Sequence, residues 1–265
     1  MRTMLVCSGV NGEFPALDRL LAAASSRRPD AVLFAGGVLS PRRSYAATAT
    51  TAFGYTPRDA RFIEHFLTAL GTLESFTAVI PGLYDAPLDQ FLQVGMAAET
   101  SHGNLRLVHG TPAIGPDVAV FGIGGRIAEY TDTDIGYFSW PMARYWMRPM
   151  SGVKSVPKVL MLAGPPLIGE CIQDGRTADP FIQTYRPRLC VLPCHESKSG
   201  TQSLAGTLVI NPGSVADGSA AWVEWGKDGP QEIEILQLPE VGMVANEAGK
   251  QVDEADENLA EFSKE

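Results

Sequence analysis

Cys194, His195 and Glu196 stand side by side, placing a thiol, an imidazole and a carboxylate in consecutive positions. Cys190 lies in the same segment, and Asp85 and Asn11 occupy turn-rich stretches much earlier in the chain. These are the side chains with which this sequence would hold a divalent metal. A hydrolytic metal takes about three protein ligands and keeps a position for water, so several of them would have to meet. Each residue also has a plainer role. A loop histidine is satisfied by hydrogen bonds or solvent, Asp85 caps the turn Leu-Tyr-Asp-Ala-Pro, and Asn11 beside Gly12 supports a turn. Cys7, Cys171, Cys190 and Cys194 have no CxxC spacing and read as buried free thiols. His65 falls in a helical stretch, and His102 and His109 lie away from these turns, so all three read as structural.

The elements that would position such residues alternate. A short apolar run ends at Cys7 in a Ser-Gly turn, and Phe14, Leu17, Leu20, Leu21 and Ala24 then recur at helical spacing up to Arg27-Arg28-Pro29. The run "AVLFAGG" (31–37) suits a strand covered on both faces, so the first 37 residues predict a βαβ unit. A second helix is predicted around Phe62, Ile63, Phe66, Leu67 and Leu70, a third strand at "FTAVIPG" (76–82), and a short helix at Leu88, Phe91 and Leu92. Beyond Leu105 come short strand-like runs separated by turns, closing on a hairpin of "AAWVEW" and "QEIEILQL". Residues 127–157 form an insertion in which six aromatics, Tyr130, Tyr137, Phe138, Trp140, Tyr145 and Trp146, crowd into seventeen positions. "GIGG" (122–125) lacks the spacing and the lysine of a nucleotide loop.

Composition excludes several classes. A net charge of −9 argues against nucleic acid and anionic membrane as partners. No apolar run approaches the length needed to span a bilayer, and the first strand begins too early to leave room for a signal peptide, which predicts a cytoplasmic protein. Residues 246–265 hold seven acids and two lysines, so −5 of the charge sits in a polar tail expected to be disordered. The predicted organisation is one domain over 1–245 followed by that tail.

The strand-end segments "VCSGVNGEFPALDRLL", "PDAVLFAGGVLS", "VIPGLYDAP", "VLMLAGPPLIG" and "LCVLPCHESKSGTQSLAGTLVINPGSVADGSAAWVEW", in this order, resemble the calcineurin-like metallophosphoesterase superfamily. The resemblance implies an α/β fold, a two-sheet β-sandwich flanked by helices in four αββα layers. It also implies five loops converging at one edge. In that family those loops carry D-x-H, G-D, G-N-H-D or G-N-H-E, a lone His and G-H-x-H, which hold two metals roughly 3.5–4 Å apart for in-line attack on phosphate.

The side chains depart from that pattern while the frames remain. The D-x-H positions fall on Gly9 and Asn11, the G-D aspartate on Gly37, and the Asn-His pair on Leu83 and Tyr84, leaving Asp85. The lone His falls on Ala163, and the G-H-x-H pair on Pro193 and His195; sliding that turn by one residue substitutes Cys194 and Glu196. The reading is therefore a pseudoenzyme with no catalytic residues and no cofactor, which binds a protein partner or small ligand. Trp140, Tyr145 and Trp146 are its candidate contact surface. The alternative is a phosphoesterase with a weakly held divalent metal at relic ligands among His195, Asp85 and Asn11.

Overall fold

A computed structural model describes residues 2–40, 55–128, 136–165, 179–194 and 198–240. Tyr130, Cys171, His195, Glu196 and the acidic tail lie outside the described residues. The chain opens with β1 (Thr3–Cys7), α1 (Phe14–Arg27), β2 (Ala31–Ala35), α2 (Pro57–Gly71), β3 (Phe76–Ile80), α3 (Leu88–Ser101) and β4 (Leu105–Leu107). It continues through β5 (Ala113–Ile114), β6 (Ala119–Ile123), β7 (Arg126–Ala128), β8 (Tyr137–Ser139), α4 (Trp140–Gly152) and β9 (Lys158–Leu162). The last elements are α5 (Asp179–Tyr185), β10 (Leu189–Val191), β11 (Gly200–Leu204), β12 (Thr207–Asn211), β13 (Ser219–Gly226) and β14 (Gly229–Gln237).

Two six-stranded sheets result, in the orders β14-β13-β1-β2-β3-β4 and β11-β12-β10-β9-β6-β5. Strands β1 to β4 run parallel, as do β6, β9, β10 and β12, and antiparallel strands complete the sheets. The expected βαβ opening, two-sheet sandwich and closing hairpin are all present. No described helix is long and apolar enough to cross a membrane.

Three apolar layers explain the continuous hydrophobic runs. Along β1, Leu5 and Cys7 face α1 and α2, whereas Met4 and Val6 face the second sheet. The alternation of a strand is thus hidden in sequence because both faces are buried. Phe34 on β2 meets Phe66 on α2 edge-on at 4.7 Å, tying the outer helix to the sheet. On the far side, Ala143, Met147 and Met150 of α4 lie on Phe121, Leu160 and Leu162 of the second sheet. The helix predicted near Leu88 extends for fourteen residues, and the aromatic insertion contributes β7, β8 and α4.

The first sheet ends at β4, whose outward backbone groups are all engaged. Leu105 donates its N–H to His102 O at 3.1 Å, and its carbonyl accepts Arg106 Nη1 at 2.6 Å. Leu107 donates to Glu99 Oε2 at 3.1 Å, and its carbonyl accepts the Thr111 hydroxyl at 2.9 Å. Edge strands ordinarily expose such groups to other chains.

Candidate functional site

The loops leaving β1, β2, β3, β9 and β10 meet at one edge of the sandwich, where the C-terminal ends of the parallel strands lie. Gly9 donates its N–H to Gly36 O at 2.9 Å, Asn11 to Gly37 O at 3.0 Å, and Gly12 to Val38 O at 2.7 Å. The first two loops are therefore zipped together by backbone alone.

Asp85 fastens the third loop to the second. Its Oδ2 accepts the N–H groups of Gly37 and Val38 at 3.1 Å each and of Gly82 at 2.6 Å, while Oδ1 accepts that of Leu39 at 2.7 Å. The carboxyl is fully buried. Burial pushes its pKa up from the ordinary aspartate value, and the four N–H groups act against that. Every one of these partners is a donor, so the ionised form is the one that fits the geometry. The turn-capping role expected of Asp85 is present, and it extends across two loops.

The fourth anchor is the Asn-Pro-Gly-Ser turn that follows β12. Ser8 Oγ donates to Gly213 O at 2.7 Å, and Ser214 Oγ donates to Gly9 O at 2.8 Å. Val215 and Ala216 donate their N–H groups to Ser8 O and Gly9 O at 2.8 and 2.9 Å. Arg19 on α1 grips the carbonyls of Val215 and Ala216 at 2.8 and 2.9 Å. Asn211 binds both backbone groups of Cys194, accepting its N–H at 3.2 Å and donating to its carbonyl at 3.0 Å. Sequence reasoning missed Arg19, whose partners lie far away along the chain.

The glycines leave no space at this edge. A Cβ at Gly37 would lie 2.9 Å from Gly9 Cα, and one at Gly9 would lie 2.7 Å from Ser214 Oγ. Both residues have positive φ, 78° and 68°, where a side chain is strained in any case. A Cβ at Gly36 would sit 2.7 Å from Gly82 Cα and 3.3 Å from Ala163 Cβ. Leu83, Tyr84 and Ala163 are half-buried around this floor, and Pro193 is buried beside Gly164. Among the described residues, this packing offers no binuclear metal centre.

Asn11 is the exception. Its amide Oδ1 is buried and has no partner among the described residues, near the position that a Cβ on Gly37 would take. Cys190 is buried in the outer core, where burial lifts its thiol to about 12, so it does not join Cys194. Cys7 is likewise buried, its pKa raised by the same cause. Among the described residues no three of His, Cys, Asp and Glu come together to hold a metal.

A model of the metallophosphoesterases of the calcineurin superfamily matches residues 1–237. The chain belongs to that family. No curated protein matches it. Among solved structures it is similar to TT1561 of Thermus thermophilus, with TM-score 0.72 and 21% identity over 90% of this chain and 99% of that one. It is similar to the calcineurin-like phosphoesterase YfkN from Bacillus subtilis, with TM-score 0.57 and 8% identity over 100% and 99% of the two chains. GAP50, described as the anchor in the inner membrane complex of Plasmodium, aligns with TM-score 0.50 and 8% identity over 92% and 86%. These likenesses show the metallophosphoesterase fold and, at such identities, nothing finer.

The aromatic insertion of this family member is divided between packing and surface. Trp140 meets Phe181 edge-on at 4.6 Å, and Trp146 meets His109 and Phe138 at 5.0 and 4.9 Å. Both tryptophans are half-buried, whereas Tyr145 is 71% exposed and Met142 41%. The amphipathic turn of α4 sends Ala143, Met147 and Met150 inward and leaves Met142 and Tyr145 outside.

His109 lies at the end of β4, where its Nδ1 accepts the N–H of Gly124 at 2.8 Å. That bond fixes a neutral ring with its proton on Nε2, and Gly124 belongs to the "GIGG" turn. Burial against Phe138 and Trp146 lowers its pKa from 6.5 to about 4. The unfolded chain therefore binds the extra proton between those values, and stability present above pH 6.5 is lost as pH falls toward 4. The full loss is about 3 kcal/mol. Urea midpoints at pH 7 and 4.5 should differ more for wild type than for His109→Gln, and parallel profiles would refute this assignment.

Proposed function

We propose that this member of the metallophosphoesterase family is noncatalytic and serves as a binding or scaffold module for a protein partner. One observation carries the reading: a Cβ at Gly9 or Gly37, two positions where the family carries ligands, would press on Ser214 Oγ at 2.7 Å or Gly9 Cα at 2.9 Å. Phosphoester hydrolysis by two metals requires bridging carboxylate there. The fold also serves purposes other than hydrolysis, as the anchor GAP50 illustrates. The exposed outer face of α4, with Tyr145 and Met142, is the proposed contact surface, and Trp140 and Trp146 hold that helix in place.

A second reading rests on the buried, unpartnered Asn11 Oδ1. An amide oxygen left without a donor can ligate a cation, and His195, Cys194 or Glu196 would complete the set. Protein purified without chelator is assayed for bound Mn, Zn and Ni and for turnover of a phosphodiester. Substoichiometric metal and background turnover are expected. Stoichiometric metal with turnover that falls in Asn11→Ala would overturn the scaffold reading in favour of hydrolysis.

A further inference from the structure

The end of the sandwich opposite the glycine floor carries a groove of about 1170 Å³. It is built where the parallel strands begin. Arg2 precedes β1, Lys158 opens β9, Arg186 and Arg188 precede β10, Lys227 lies in the β13–β14 turn, and Lys154 follows α4. Asp117, Glu224 and Asp228 also line it, so the groove is net positive by three in a chain whose total is −9. Among the described residues none of the six cations forms an ion pair or donates a side-chain hydrogen bond. On a surface richer in acids than bases, six cations without ion pairs gathered around one concavity suit an anionic ligand.

Trp225 closes the groove from below. It lines the groove, is only 4% exposed, and its indole Nε1 is buried with no acceptor among the described residues. That donor is enclosed in the core between the sheets, so the ring serves the groove as an apolar floor. Lys158 is half-buried in the groove wall, and burial lowers its pKa from the ordinary lysine value, a shift that a bound anion would reverse. Six cations against three carboxylates set the charge of the groove, so its complement is negatively charged and rich in acceptors. Guanidinium forks match tetrahedral phosphate oxygens in pairs, and a groove of about 1170 Å³ has room for more than one phosphate.

The geometry points to a binding site in this groove for a small molecule bearing a chain of phosphates, held by Arg186, Arg188, Lys154 and Lys227 above Trp225. The site is separate from the strand-end loops and does not depend on whether those loops hold a metal.

The test uses the full chain, inorganic tripolyphosphate as the probe, and calorimetric titration at fixed ionic strength. Tripolyphosphate should bind one per chain, and both Arg186→Gln/Arg188→Gln and Lys154→Gln/Lys227→Gln should weaken it by about tenfold or more. Arg58→Gln, exposed on the first turn of α2 at the opposite end of the sandwich, should stay within about twofold of wild type, since charge far from the groove is screened by salt. Lys154 and Lys227 are exposed, so their variant tests the site even where the arginine pair disturbs folding. Equal affinity in all four proteins, or no binding by wild type, would overturn the site. Citrate or an oligoglutamate peptide binding as tightly as tripolyphosphate would overturn the assignment to phosphate.

Discussion

Replacing Asp85 by Ala should lower the melting temperature by about 10 °C. The substitution strips one acceptor from four buried N–H groups, those of Gly37, Val38, Leu39 and Gly82. Removing one partner of a buried charged network costs about 3–5 kcal/mol. A domain of this size loses roughly 2–4 °C per kcal/mol. Asp85→Asn keeps one acceptor oxygen but turns an NH2 toward N–H donors, so it should fall between Ala and wild type. Asp89→Ala, on the first turn of α3, is the control and should shift the midpoint by no more than about 1 kcal/mol. Calorimetric melts of the three variants check this, and a wild-type midpoint for Asp85→Ala would mean that the loops do not depend on the carboxylate.

Restoring an acid to the glycine floor should destabilise the protein rather than create a metal site. Gly37→Asp or Gly9→Asp adds left-handed strain and drives a Cβ into a neighbouring loop at 2.9 or 2.7 Å. Overpacking of this kind costs about 1–3 kcal/mol beyond the strain itself. Gly12 supplies the comparison, because it shares a positive φ of 73° yet its Cβ would meet nothing nearer than Ser40 N at 3.9 Å. Gly12→Ala should therefore show the strain alone, about 1 kcal/mol. Denaturant midpoints for the three variants separate the two contributions, and manganese titration of Gly9→Asp/Gly37→Asp should show no stoichiometric uptake. Equal losses at Gly12 and Gly37 would refute the account of close approach.

The fold was legible because local signals agreed with it. Apolar runs closed by glycine, such as Ala31–Ala35 before Gly36 and Gly37, marked buried strands, and helical spacing marked α1 and α2. The order of strand-end motifs then named the family. The replacements at Gly9, Gly37, Leu83 and Ala163 could likewise be read from sequence. What they do in space could not. That Gly37 presses on Gly9, and Gly36 on Gly82, follows from loops tens of residues apart being brought together by the sheet. Arg19 carried no sequence signal for the same reason, since its partners are backbone carbonyls on another loop. The inward and outward aromatics of α4 were not separated, because six aromatics so close together obscure which ones a helix turns toward the sheet. The basic groove was hidden by the overall acidic charge and assembles residues from Arg2 to Lys227.

The strand β4 carries a last consequence. Its four outward groups are already taken by His102, Arg106, Glu99 and Thr111. The first sheet is therefore terminated chemically at this edge, with no closure into a barrel. A second chain seeking to extend it would first have to displace a carboxylate from Leu107 and a guanidinium from Leu105, which sets a barrier before any new ladder forms. Polymer growth at this edge is opposed by kinetics as well as by equilibrium, even in a crowded solution.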